Sequence, residues 1–92
     1  MAMKRLYIKV FGIVQGVGFR FFVLHKAREL NIAGFVRNLA DGSVEIDAVG
    51  EPDDVEKFLI RVRKGPPIGN VSRIEVSPLE PGNEYLDFEI RF

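Results

Sequence analysis

The spacing of hydrophobic residues changes along the chain, and the order of these changes constrains the fold most. Leu6, Ile8 and Val10 alternate with other residues, which is the period of a strand with one buried face. From residue 20 to residue 31 the apolar residues recur instead at the spacing of a helix. The chain is therefore predicted to begin with a strand followed by a helix.

The rest of the sequence extends this order. Asp41-Gly42 is a strong hairpin signal between two apolar segments, Pro52 suits the first turn of a helix, and Gly65 begins a Gly-Pro-Pro segment that stops it. The next predicted elements are strands at residues 35–39 and 44–48, a helix at 52–64, a strand at 74–76 and a short strand at 88–92. The whole order is βαββαβ with an extra terminal strand.

This order predicts an α+β fold, a ferredoxin-like sandwich in which an antiparallel sheet carries two helices on one face. Right-handed crossovers make the first and second strands parallel, with the third strand between them. The ends of the first two strands then reach the same edge of the sheet. The loop after the first strand and Asn38, at the end of the second, are predicted to frame one small site.

Composition excludes several classes of protein. The 92 residues show no compositional break, which predicts a single domain over residues 1–92. The absence of cysteine excludes thiolate zinc sites and cysteine nucleophiles, and thirteen basic residues balance thirteen acidic ones. With no leader and no long apolar run, we expect a cytoplasmic monomer that binds neither nucleic acid nor membrane.

The loop sequence VQGVGFR, residues 14–20, has the composition of an anion site. Its glycines permit unusual backbone angles, so that amides at a helix start can converge on an anion. The guanidinium of Arg20 would hold two phosphate oxygens at once. The alternative is a tight turn with a solvated arginine. Phe21, where a third glycine belongs, excludes a dinucleotide-binding fingerprint, and no Walker A lysine follows.

Asn38 is the candidate partner of this loop. The loop has no cysteine or aspartate to accept a phosphoryl group, which leaves direct attack by water. A carboxamide has both a donor and an acceptor and can hold that water without titrating. The alternative is an ordinary asparagine at a strand end beside a hairpin. Of the nearby residues, Phe19, Phe21 and Phe22 are predicted to belong to the core.

Residues 12–23, GIVQGVGFRFFV, and residues 34–45, GFVRNLADGSVE, resemble the acylphosphatase family, as do KGPP and the closing FEIRF. The resemblance covers essentially the whole chain. It implies a hydrolase without metal or cofactor that cleaves acyl phosphates to a carboxylate and inorganic phosphate. It also implies that Arg20 binds the phosphoryl group and that Asn38 positions the water. The backbone amides that would bind the phosphoryl oxygens are those of Gln15, Gly16, Val17, Gly18, Phe19 and Arg20.

This chemistry needs little apparatus, because an acyl phosphate has a good leaving group. Positioning and stabilisation of the phosphoryl charge suffice. We hypothesise that the phosphoryl group itself accepts the proton of the water. This would explain the absence of a general base. The main alternative is a non-catalytic module that binds phosphate or carbamoyl phosphate, since acylphosphatase-like domains occur within larger proteins that handle carbamoyl phosphate.

RNA binding is a weaker alternative. LYIKVF in the first strand resembles an aromatic RNA-binding motif, but the third strand has Glu45 and Asp47 where aromatic and basic residues should meet RNA. We predict instead that these two carboxylates form cross-strand ion pairs on the outward face of the sheet.

Overall fold

A computed structural model describes residues 2–83 and 85–92. The strands are β1 (Lys4–Ile13), β2 (Ala33–Asn38), β3 (Val44–Gly50), β4 (Asn70–Leu79) and β5 (Phe88–Arg91). The helices are α1 (Phe19–Glu29), between β1 and β2, and α2 (Pro52–Lys64), between β3 and β4. The predicted order of elements and the ferredoxin-like α+β fold are confirmed. Neither helix of the described part of the chain combines the length and the hydropathy that a membrane-spanning helix needs.

The five strands form one sheet in the order β4-β1-β3-β2-β5. The first four pair antiparallel, whereas β5 pairs parallel with β2, so the sheet is mixed rather than wholly antiparallel. Val44 lies opposite both Val10 and Asn38, which puts β3 between the other two strands. The C-terminal ends of β1 and β2 therefore lie at the same end of the sheet, one on each side of β3, as the topology predicts.

Both helices pack on the same face of the sheet. The alternating residues of β1 and the apolar stripes of the helices enter a single core, because each has one apolar side. Members of this core with essentially no exposed surface are Ile8, Val10, Val23, Ala27, Val36, Val44, Ile46, Ala48, Val55, Phe58 and Val62. The helix α1 also contacts β2 and β5, while α2 contacts β1, β3 and β4. This core fixes the ends of β1, β2 and α1 relative to one another.

The helix α1 is slightly displaced from its predicted range, beginning one residue earlier and ending two residues earlier. Leu30 is its C-cap, and Asn31 has a φ of 56°, in the left-handed region. Asparagine adopts this conformation more readily than most residues and commonly ends helices. The apolar spacing reaches past the end of the helix because Leu30, its C-cap, still packs against the core.

The opposite face of the sheet carries two buried carboxylates. Glu45 and Asp47, predicted on the outward face of the sheet, are only 7% and 4% exposed. Asp47 accepts hydrogen bonds from Nε and NH2 of Arg5, at 3.0 and 2.7 Å, and from the hydroxyl of Tyr85, at 2.8 Å. Glu45 accepts from Arg37 on β2, at 2.7 Å. The predicted cross-strand ion pairs are thus present, and their carboxylates are largely shielded from solvent.

Candidate active site

The loop between β1 and α1 requires its glycines for their conformation. Gly16 and Gly18 have φ angles of 76° and 75°, in the left-handed region that other residues adopt with strain. A Cβ atom built on either residue would meet no heavy atom within 4 Å. The two glycines therefore allow the backbone path, rather than making room for a neighbouring side chain.

The start of α1 has no capping side chain. Gly18 is the N-cap residue, no side chain of the described residues caps the helix, and its first turn contains no acidic residue. The first N–H groups of a helix have no partner within the helix, and the helix dipole gives this end a partial positive charge. These amides are suited to an anionic ligand.

A cavity of about 140 Å³ joins this helix start to the end of β2. The residues that line it are Val14, Gly16, Gly18, Phe19, Arg20, Phe21 and Asn38. Arg20 is the one ionisable residue among them, so the side chains at the cavity carry a net positive charge. Gln15 and Val17 are outside this lining, and contacts from the backbone amides of residues 15–20 to a phosphoryl group stay a prediction.

Arg20 lies in the first turn of α1 and is partly buried. Its guanidinium carbon is 4.9 Å from the centre of the Phe92 ring, a distance typical of a cation–π contact. Within residues 2–83 and 85–92, no carboxylate forms an ion pair with Arg20. Its guanidinium hydrogen-bond donors are therefore available to a ligand in the cavity.

Asn38 is the last residue of β2 and is partly buried. Its Oδ1 atom is buried and has no hydrogen-bond partner among the described residues. A buried acceptor without a partner is costly, and native proteins rarely retain one without a reason. This acceptor belongs to a residue that lines the cavity, together with Arg20.

The hairpin after Asn38 is held by a local hydrogen-bond network. The backbone N–H of Ser43 donates to Oδ1 of Asp41 at 2.9 Å, and the Ser43 hydroxyl donates to the same oxygen. Lys9 lies 3.2 Å from the other carboxylate oxygen. The hydrogen bonds from Ser43, with the smaller effect of Lys9, lower the pKa of Asp41 to about 2. This network fixes the turn that follows β2.

The three phenylalanines near Arg20 differ in burial. Phe19 is 1% exposed and belongs to the core, and Phe22 packs against it with ring centres 6.1 Å apart. Phe21 is 59% exposed and lines the cavity, so the prediction that it is a core residue is wrong. Helical periodicity gives the reason, because Phe21 points away from the stripe of Phe19, Val23 and Ala27.

The site as described contains no metal-binding cluster. Within residues 2–83 and 85–92, no three His, Cys, Asp or Glu residues are placed so that they could share a metal ion.

Comparison with known proteins identifies the family. The acylphosphatase family model matches residues 6–90. The chain belongs to the acylphosphatase family. It is 50% identical over 90 residues to an acylphosphatase of Archaeoglobus fulgidus, a match that covers 98% of this chain and all of that protein. The prediction of a hydrolase of the acylphosphatase type, made from the sequence, is confirmed.

Solved structures agree with the family and with the fold. The crystal structure of acylphosphatase from Bacillus subtilis has a TM-score of 0.93 and 37% identity, covering 97% of this chain and 99% of that one. The structure of T. kodakarensis HypF has a TM-score of 0.84 and 39% identity, but this chain covers only 12% of it. The same fold therefore occurs both as a small acylphosphatase and as one region of a much longer protein.

Proposed function

We propose that this acylphosphatase hydrolyses acyl phosphates by direct attack of water on phosphorus in the cavity between α1 and the end of β2. The observation that carries the proposal is that Arg20 and Asn38 line the same cavity, each with hydrogen-bonding capacity that the described residues do not use. The substrate is a small-molecule mixed anhydride of a carboxylic acid and phosphoric acid.

Arg20 and the first amides of α1 bind the phosphoryl oxygens in this mechanism. The planar guanidinium makes two parallel hydrogen bonds, and the unpaired amides at the helix start add donors in a fixed direction. Negative charge that spreads over the phosphoryl oxygens in the transition state is stabilised by these donors without rearrangement. The lack of a carboxylate partner for Arg20 among residues 2–83 and 85–92 supports this role, because the guanidinium need not leave such an ion pair to bind substrate.

Asn38 holds the attacking water. Because Oδ1 is buried in the free protein, the carboxamide turns into the cavity in this mechanism, where Oδ1 accepts a hydrogen bond from the water and directs the water oxygen towards phosphorus. The new bond forms between that oxygen and phosphorus, and the bond from phosphorus to the acyl oxygen breaks. The carboxylate leaves with the bonding electrons, and the proton of the water goes to a phosphoryl oxygen. The products are a carboxylate and dihydrogen phosphate, so atoms and charge balance for a dianionic substrate.

The test is release of inorganic phosphate from benzoyl phosphate with a chelator present, after subtraction of spontaneous hydrolysis. Arg20→Ala and Asn38→Ala should each lose about 100-fold or more in kcat/KM. Arg63→Ala and Asn70→Ala are matched controls, because both residues are exposed and outside the cavity, and they should keep the activity of the unmodified protein.

Two outcomes would contradict the proposal. Loss of activity on adding the chelator would mean that a metal takes part. Saturable phosphate binding that depends on Arg20, without turnover by the unmodified protein, would favour the alternative of a phosphate- or carbamoyl-phosphate-binding module. The cytoplasmic location, the monomeric state and the single domain stay predictions, to be tested by localisation of the tagged protein, by light scattering and by the cooperativity of unfolding.

A further inference from the structure

The side chain of Gln15 links the loop before α1 to the turn after β2, the two segments on either side of the cavity, although Gln15 does not line the cavity itself. Gln15 lies in the loop between β1 and α1, and its Nε2 donates hydrogen bonds to the backbone oxygens of Leu39 and Ser43, at 2.8 and 2.9 Å. Both hydrogens of the carboxamide are thus used on the far side of the site. Leu39 is the residue directly after Asn38.

The two acceptors belong to the end of the β2–β3 hairpin. The N–H of Leu39 donates to the same Ser43 oxygen at 2.8 Å, and Ser43 is in turn held by Asp41. Gln15 therefore attaches to a turn that is already closed. A movement of the loop relative to this turn would break two partly buried hydrogen bonds at once.

We call these two hydrogen bonds of Gln15 the tether. The tether holds the loop to the hairpin at the point where the backbone pairing of the sheet ends. The last backbone pairs that link the strands are those of Val44, which faces Val10 on one side and Asn38 on the other. Beyond Val44, the separation between the loop and the end of β2 is set by loop conformation and side-chain contacts. Among the described residues, the side-chain hydrogen bonds from the loop itself to this turn are the two from Gln15, while the ion pair of Lys9 with Asp41, at 3.2 Å, joins β1 to the same turn.

We infer that Gln15 is a positioning residue for the hydrolysis, which sets the distance between the phosphate-binding loop and Asn38. The inference rests on the proposed function. The phosphoryl group is held on the loop side and the water on the β2 side, so in-line attack requires a fixed separation. A misplacement of about 1 Å can cost about 100-fold in rate. The carboxamide of Gln15 acts on the reaction through Asn38 and does not touch the substrate.

Gln15→Met tests this role, because methionine has a similar length but donates no hydrogen bond. We expect kcat for benzoyl phosphate to fall about 10- to 100-fold, while competitive inhibition by inorganic phosphate changes less than about threefold. An equal loss of phosphate binding would overturn the inference, because it would mean that Gln15 shapes only the loop.

A double substitution shows whether the effect passes through Asn38. Once Asn38 is replaced by alanine, the position of the end of β2 should no longer matter, so Gln15→Met should cost less than about twofold further in kcat. Independent, fully multiplicative losses would refute the coupling. Circular dichroism and thermal unfolding of each variant show whether the protein is folded.

Gln15→Glu provides a second variant with a different readout. The ionised carboxylate cannot donate to the two carbonyl oxygens, whereas the protonated acid has one donor. The ratio of kcat of Gln15→Glu to that of the unmodified protein should therefore rise as pH falls through the pKa of the new carboxyl. A ratio independent of pH would contradict a donor role.

Failure of the proposed function would be distinguishable from failure of this inference. If the unmodified protein bound phosphate but did not hydrolyse benzoyl phosphate, the proposed function would be refuted. The hydrogen bonds of Gln15 would then be tested by nuclear magnetic resonance instead. In that case the Asn38 side-chain amide signal should shift in Gln15→Met at saturating phosphate. An unchanged signal would overturn the inference.

Discussion

Asn38→Ala should make the protein more stable while it makes the enzyme much slower. The buried Oδ1 of Asn38 has no partner among the described residues, and an unsatisfied buried polar atom costs about 1 to 3 kcal/mol. Alanine removes this cost but loses the contacts of a partly buried side chain. We therefore expect a net increase of about 1 kcal/mol in the free energy of unfolding, equivalent to about 4 to 8 °C in Tm for a chain of this size.

The same substitution should reduce kcat by about 100- to 1,000-fold, or about 3 to 4 kcal/mol of transition-state stabilisation, if Asn38 holds the water. Urea unfolding, in buffer without phosphate, gives the first quantity, because bound phosphate would itself stabilise the folded state. Steady-state hydrolysis of benzoyl phosphate gives the second. Asn70→Ala, at the exposed start of β4, is the control and should change stability by less than about 0.5 kcal/mol.

A clear fall in stability with kcat retained would refute the reasoning, because it would mean that Asn38 is a structural residue at a strand end. A gain in stability with kcat retained would show that the unpaired oxygen is costly but has no part in the reaction. Only the opposed changes in stability and rate indicate a group kept in an unfavourable state for its function.

Three other substitutions test separate parts of the account. Arg20→Lys keeps the positive charge but not the planar pair of donors, so kcat/KM for benzoyl phosphate should fall about 100-fold or more; near-normal activity would show that charge alone suffices. Gly34→Ala should cost roughly 2 to 6 kcal/mol in chemical unfolding, because Gly34 has a φ of 141° and a Cβ atom there would lie 1.8 Å from the backbone oxygen of Asp47; an unchanged unfolding midpoint would be inconsistent with this close contact. The pKa of Asp41 is lowered to about 2 from an ordinary value of 3.8, so its ionised form stabilises the fold above about pH 4, and this contribution is lost as pH falls towards 2. Asp41→Asn keeps an acceptor oxygen but cannot titrate, and its stability should therefore fall less steeply over that window; identical pH dependence in the two proteins would contradict the assignment.

The sequence was sufficient to predict those features that depend on local periodicity and chain topology. Alternation in β1 and β3, the apolar stripe of α2 and the Asp41-Gly42 turn each reflect short-range preferences, and the handedness of the crossovers then brings the loop and Asn38 to one edge. The cavity lined by Arg20 and Asn38 follows from that topology, although their roles come from family resemblance and chemical reasoning.

Other features depend on contacts between distant parts of the chain, which spacing does not encode. The burial of Asp47 arises because Tyr85, on the connection from β4 to β5, lies against the face of the sheet without helices. The hydrogen bonds of Gln15 to Leu39 and Ser43 join residues 24 and 28 positions apart, through a loop whose path the sequence does not specify. The parallel pairing of β5 likewise depends on the route of that connection across the sheet.

The most direct test of the central claim is the position of water attack. Benzoyl phosphate should be hydrolysed in water enriched in oxygen-18, with enough protein that the catalysed rate greatly exceeds the spontaneous one, and both products should be analysed by mass spectrometry. Attack on phosphorus by a water that Asn38 holds predicts one labelled oxygen in inorganic phosphate and none in benzoate. Label in benzoate would mean attack on the acyl carbon, and would contradict the mechanism proposed for Arg20 and Asn38.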